Sequence, residues 1–133
     1  MATALVICDT DVMIDYWDAS NSRHIQTHII LENNIGIENI ALSAITKMEL
    51  MKGATNKTDL SKTTKSLAGY NIILINNDIT LKAFDLLQSY LLSHNLSLPD
   101  SIIAATAMIT GLDLFTYNTK DYKYITGLNL YKH

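Results

Sequence analysis

The sequence predicts an α/β fold: a three-layer sandwich with a central parallel sheet of four to five strands flanked by helices. Three observations point to it. Short apolar, β-branched runs recur along the chain, "ALVIC", "ENIAL", "YNIILI" and "LDLFT", and they are continuous rather than alternating, as in strands buried on both faces. Stretches of helical period separate them, and such alternation calls for parallel pairing with helices on both sides. The 133 residues are 48% hydrophobic and 17% charged, with one proline and no internal repeat. That composition suits one packed domain spanning 1–133 rather than a disordered chain.

The elements follow in order. "ALVIC" is the first strand and stops at Asp9. Helical periodicity runs from Asp11 to about Asn34, with a break near Asp18 to Ser22. "ENIAL" is the second strand, and Ser43 is placed to cap a helix through "AITKMELMKGA", with Ile45, Met48 and Met51 on its apolar face. The polar stretch from Asn56 to Leu67 reads as helical or mobile. "YNIILI" is the third strand. Asp78 is the expected cap of the helix that follows, with Leu81, Phe84, Leu87, Leu91 and Leu92 as its buried stripe. "SLPDSIIAATAMITG" opens near Pro99 and Asp100 and closes with Gly111 just past its end. "LDLFT" is the fourth strand and "LNLY" a short fifth.

Charge and composition bound the function. The net charge is −3 and the basic residues are scattered, so no broad basic face advertises nucleic-acid binding, although a metal site can reverse the sign locally. The single cysteine, Cys8, lies inside the first strand and reads as a buried thiol. The N-terminus lacks a basic leader and no segment approaches the ~20 apolar residues of a membrane span, so a cytoplasmic protein without a membrane role is expected.

Four acids carry the chemistry. Asp9 ends the first strand, Asp100 opens a helix, Asp121 follows the fourth strand, and Glu49 lies one to two turns into the helix after the second strand. Ligands of parallel sheets bind at the carboxyl ends of the strands, and all four acids can reach that side. Each has a plainer role when taken alone: strand-end cap, helix cap, turn residue, solvated helix residue. Together they would repel and raise one another's pKa values, unless a hard divalent cation such as Mg²⁺ or Mn²⁺ offset them. The four histidines are dispersed and offer no zinc spacing.

The chain resembles the PIN-domain ribonucleases, and more narrowly the toxin of VapBC toxin–antitoxin pairs. Four segments in order carry the resemblance over essentially the whole chain: "VICDTDVMIDYW", "LSAITKMELMKG", "LPDSIIAATAMITG" and "LFTYNTKDYKYI". It implies a divalent-metal-dependent endoribonuclease that cleaves RNA involved in translation. Asp9, Glu49, Asp100 and Asp121 correspond to the catalytic, metal-holding acids. Thr10, Asp11, Thr116 and Asn118 line the site, whereas Ser43, Thr46 and Asp15 match positions read as structural. Two positions depart from the pattern. Asp11 stands where the family prefers Asn, and Tyr117 stands where it often has Arg, so an aromatic is available to stack on a base. Lys47, Lys52, Tyr117 and Lys120 are the candidate RNA contacts. The resemblance also implies a small antitoxin partner and a homodimer, for which Tyr16, Trp17 and the helix around residues 25–31 offer apolar surface or, equally, core.

Three rivals remain open at this level. "DTDVM" resembles the Asp-x-Asp-x-Thr motif of haloacid-dehalogenase-like phosphatases, but Met13 stands where that motif needs Thr or Ser. A non-catalytic RNA-binding module would typically have lost one of the acids. A DNA or structure-specific nuclease would share the same metal site.

Overall fold

The computed structural model describes residues 4–133. Four short strands form one parallel sheet: β1 (Val6–Cys8), β2 (Ile40–Ser43), β3 (Asn71–Ile73) and β4 (Asp113–Phe115), in the order β3-β2-β1-β4. The expected fifth strand is reduced to a single bridge between Leu114 and Leu130. The second strand starts at Ile40, because a short 3₁₀ turn, Ile37–Asn39, takes up the preceding residues. β1 and β2 are wholly buried, which explains their unbroken apolar runs. Burying an isoleucine such as Ile7, fully enclosed here, contributes about 2–3 kcal/mol.

Helices cover both faces of the sheet. On one lie α1 (Thr10–Trp17) and α2 (His24–Ile29), the latter prolonged by a π-helical stretch, Ile30–Ile35. Val12, Met13, Leu31 and Ile35 pack there against Val6, Cys8, Leu42 and Phe115. On the other lie α5 (Asn77–His94) and α6 (Leu98–Thr110), packed together over Ile7, Ala41 and Leu114. Between β2 and β3 run α3 (Ala44–Lys52) and the polar α4 (Lys57–Leu67).

Three local expectations are corrected. Asn76, not Asp78, caps α5, its side chain accepting from the Ile79 N–H at 2.9 Å. The buried stripe of α5 is Ile79, Ala83 and Leu86, while Leu81, Phe84, Leu91 and Leu92 are exposed. Leu87 alone of the expected stripe packs against the core, so the helical period holds while the buried face is rotated. α6 presents Ala104, Ala105 and Ala107, Ala83 lines an apolar cavity of about 190 Å³ between α5 and α6, and the bulkier Leu81, Leu91 and Leu92 are left outside. On α3 the buried residues are Ala44, Thr46 and Leu50, and Met48 is exposed.

Ser43 caps α3 as expected, accepting from the Ile45 N–H. Gly111 ends α6 at φ 71°, a left-handed conformation that glycine adopts without strain. The Cys8 thiol is buried and its pKa is raised, first by burial and then by Asp9, so it stays protonated. No helix among the described residues is long and apolar enough to cross a membrane.

Candidate active site

In this strand order β1 has β2 and β3 on one side and β4 on the other. The chain path reverses between β1 and β4, where such sheets open a ligand crevice at their carboxyl ends. Asp9 follows β1 at that crevice and is buried. Its own N–H donates to the Phe115 carbonyl at 2.9 Å, which ties the two strand ends together. One carboxylate oxygen accepts from the Thr10 N–H at 2.8 Å, which makes Asp9 the cap of α1. The other accepts from the Thr116 hydroxyl at 2.8 Å. Thr116 in turn accepts the Asn118 N–H at 3.0 Å.

The remaining acids are held similarly. Asp100 lies in the first turn of α6, which Ser97 caps by accepting the Asp100 N–H at 3.2 Å. The Tyr122 hydroxyl donates to the Asp100 carboxylate at 2.9 Å. Glu49, half-buried on α3, accepts from the Thr10 hydroxyl at 2.7 Å, and Thr46 Oγ1 lies 3.2 Å from that same hydroxyl. Asp121 ends a 3₁₀ turn, Thr119–Asp121. Asp11 does not cap α1; its Oδ2 accepts from the Tyr117 N–H at 3.1 Å, and its buried Oδ1 has no partner among the described residues.

The electrostatics follow from burial. The Asp9 carboxyl is pushed up to about 7, chiefly by desolvation and then by the charges of Asp11 and Asp100, against the opposing pull of its bonds to Thr116 and Thr10. Burial raises Asp11 as well. Asp100 is raised by burial, with Asp121 and Glu49 adding repulsion that the bonds from Tyr122 and Ser97 oppose. Tyr122 is raised far beyond its ordinary range by burial and by Asp9 and Asp100, so it remains a hydroxyl donor.

Among the described residues no three acidic, histidine or cysteine side chains converge tightly enough to hold one ion. The donor set nevertheless suits a hard cation. Asp9 and Asp100 are carboxylates held by the Thr116 and Tyr122 hydroxyls, with the Asp100 charge felt at Asp9, and Mg²⁺ is commonly held by one or two carboxylates with water and substrate phosphate completing the shell. Asp100 is thus felt at Asp9, and Asp121 and Glu49 at Asp100, while Thr10 and Thr116 touch the acids directly. The lysines are more dispersed. Lys52 shares a groove of about 340 Å³ with Glu49 and Pro99, beside Asp100. Lys120 is exposed next to Asp121, and Lys47 is half-buried on α3. Tyr122 was missed as a site residue; its hydroxyl, immediately after Asp121, was the available signal.

The PIN-domain profile matches residues 6–126. The chain belongs to the PIN-domain family. It is similar to a chain of a toxin–antitoxin complex from Klebsiella pneumoniae, at 34% identity over 96% of this chain and 99% of that one, with a TM-score of 0.73. VapBC2 from Rickettsia felis, solved bound to a DNA fragment from its promoter, aligns at 21% identity over 96% and 97%, with a TM-score of 0.74. VapC20 from Mycobacterium tuberculosis, a Sarcin-Ricin loop cleaving toxin, aligns at 12% over 96% and 99%, with a TM-score of 0.69. No curated protein matches the chain. The kinship read from the four sequence segments and the parallel three-layer fold are both borne out.

Proposed function

We propose that this PIN domain is a divalent-metal-dependent endoribonuclease and the toxin of a type II toxin–antitoxin pair. The observation that carries this reading is the pair of acids at the β1/β4 crevice, Asp9 fixed by the Thr10 N–H and the Thr116 hydroxyl and Asp100 by the Tyr122 hydroxyl, both with carboxyls raised above the ordinary carboxylate range by burial. Asp9 and Asp100 would hold the ion, with Glu49 and Asp121 closing the acidic ring through water. Bound there, Mg²⁺ or Mn²⁺ would activate water and offset charge developing on the phosphate.

The chain's own residues do the rest. The Thr10 N–H and the Thr116 hydroxyl aim the two Asp9 oxygens, Tyr122 aims Asp100, and the Thr10 hydroxyl turns Glu49 toward the crevice. No side-chain nucleophile is needed. Lys52 and Lys120 flank the acids and would meet the RNA backbone, whereas the Tyr117 ring is already packed by Arg23, Phe115 and His133. A small antitoxin would cover the apolar ridge of Ile14, Trp17, Ile25 and Ile29, all exposed, and would bring a basic side chain to the acids. A homodimer acting in the cytoplasm completes the proposal.

The deciding experiment incubates purified protein with total RNA and tRNA in Mg²⁺, Mn²⁺ or chelator, beside Asp9→Asn. Cleavage should require the metal and vanish in the variant. Cleavage by Asp9→Asn at the wild-type rate would overturn the assignment, and cleavage of DNA alone would favour a DNA nuclease.

A further inference from the structure

The chain has a single arginine, Arg23, and the fold fixes it between Asp15 and the Tyr117 ring, near enough for its charge to be felt at Asp11. Its Nε donates to Asp15 Oδ2 at 2.9 Å. Its guanidinium carbon lies 4.4 Å from the centre of the Tyr117 ring. Tyr117 is itself held at both ends, its N–H donating to Asp11 and its hydroxyl 2.7 Å from that of Thr27. It directly follows Thr116, which grips Asp9. A rigid chain of contacts therefore runs from the catalytic carboxylate to the arginine head.

That head is incompletely used. An arginine serving only to neutralise a carboxylate commonly engages it through two parallel bonds. Here Nε makes the one hydrogen bond of the guanidinium among the described residues, and the Arg23 side chain is 46% exposed whereas that of Asp15 is 10% exposed. The two Nη groups are thus free on an arginine whose rotamers are already restricted by Asp15 and the Tyr117 ring. A planar, always charged fork of this kind matches a phosphate. The protein around it is acidic, so a fixed cation at this position answers the polyanion that the crevice must admit.

We propose that Arg23 binds a backbone phosphate of the RNA substrate through its free Nη groups, seating the strand beside the Asp9–Asp100 centre. This rests on the ribonuclease reading above. Arg23 positions substrate and does not take part in bond cleavage.

Binding of a labelled, mixed-sequence single-stranded oligoribonucleotide, measured across a salt series in Mg²⁺ with Asp9→Asn as the uncleaving parent, tests the idea. Arg23→Gln should weaken binding about tenfold and reduce the magnitude of the log–log salt slope by about 0.7, the loss of one phosphate contact. Asp15→Asn, which removes the tether but keeps the cation, should retain the parental slope even if it lowers the melting temperature. Should Arg23→Gln fold poorly with Asp15 left uncompensated, Arg23→Gln combined with Asp15→Asn removes both charges and should show the same loss of slope. In an otherwise native chain, Arg23→Gln should raise KM and leave kcat near its original value. A parental slope in Arg23→Gln, or an equal loss of slope in Asp15→Asn, overturns the phosphate contact while leaving the nuclease intact. A parent that binds no RNA at all overturns both readings. An unchanged RNA slope with weakened capture of a protein partner would reassign Arg23 to that partner and also overturn the proposal.

Discussion

Asp9 joins stability to chemistry. Its carboxyl stands at about 7 in the fold against an ordinary 3.8. Between those values the native state keeps a proton that the unfolded chain has released, so the Asp9 contribution is greatest below about pH 4 and is lost as the pH rises to 7. One unit is worth about 1.4 kcal/mol, so the loss reaches about 4 kcal/mol at most. Denaturant unfolding of metal-free protein at pH 4.5 and 7.5 should show wild type losing stability relative to Asp9→Asn. Added Mg²⁺ should restore wild type selectively, while Asp9→Asn abolishes RNA cleavage. A variant less stable than wild type at pH 7.5 in chelator would contradict the electrostatic account. Tyr122→Phe removes the hydroxyl that aims Asp100 and leaves the ring in the core. It should lower kcat by about 10–100-fold, as loss of a residue orienting a metal ligand typically does, with a melting temperature close to that of wild type. Unchanged kcat would show that Asp100 needs no aiming.

Individual elements explain where pattern reading fails. The four strands, the Ser43 cap and the Gly111 terminus rest on signals within a few residues, and those were legible. The buried face of α5 was not, because the stripe Leu81, Phe84, Leu91 and Leu92 is as regular as the true one. Contact with the alanines of α6 chose between them. Leu86→Ala, at a side chain buried in the core that α5 and α6 share, should therefore cost about 2–5 kcal/mol. Leu92→Gln, at a side chain that is 98% exposed, should change stability by less than about 0.5 kcal/mol. Chemical denaturation of both variants checks the pair, and the reverse ranking would restore the stripe read from sequence. Ser97→Ala should cost about 1 kcal/mol through the lost cap of α6 and should loosen Asp100 at the same time.

Across the whole molecule, Ile14, Trp17, Ile25 and Ile29 leave α1 and α2 apolar outside as well as inside. A groove of about 490 Å³ runs beside them, lined by Tyr16, Trp17, His24, His28 and residues of α4. Trp17→Glu with Ile25→Glu should abolish co-purification with the antitoxin and spare RNA cleavage by the isolated domain. Retained co-purification would place the partner on another face.

Parallel pairing and helical punctuation were available from local pattern, since burial on both faces writes itself as unbroken apolar runs, and the candidate acids stood out because Asp9, Asp100 and Asp121 fall at the ends of elements. The hydroxyls that aim those acids were only partly available. Thr10 and Thr116 adjoin their motifs, whereas Tyr122 reaches Asp100 across 22 residues and Arg23, on the α1–α2 turn, meets Tyr117 from beyond β4. Such pairings depend on how helices seat on the sheet, because a side chain's partner is set by proximity in space once the backbone has packed. The same packing decided the α5 face and raised Asp9 toward neutrality, for burial is a property of the assembled layers and not of any residue's neighbours in the chain.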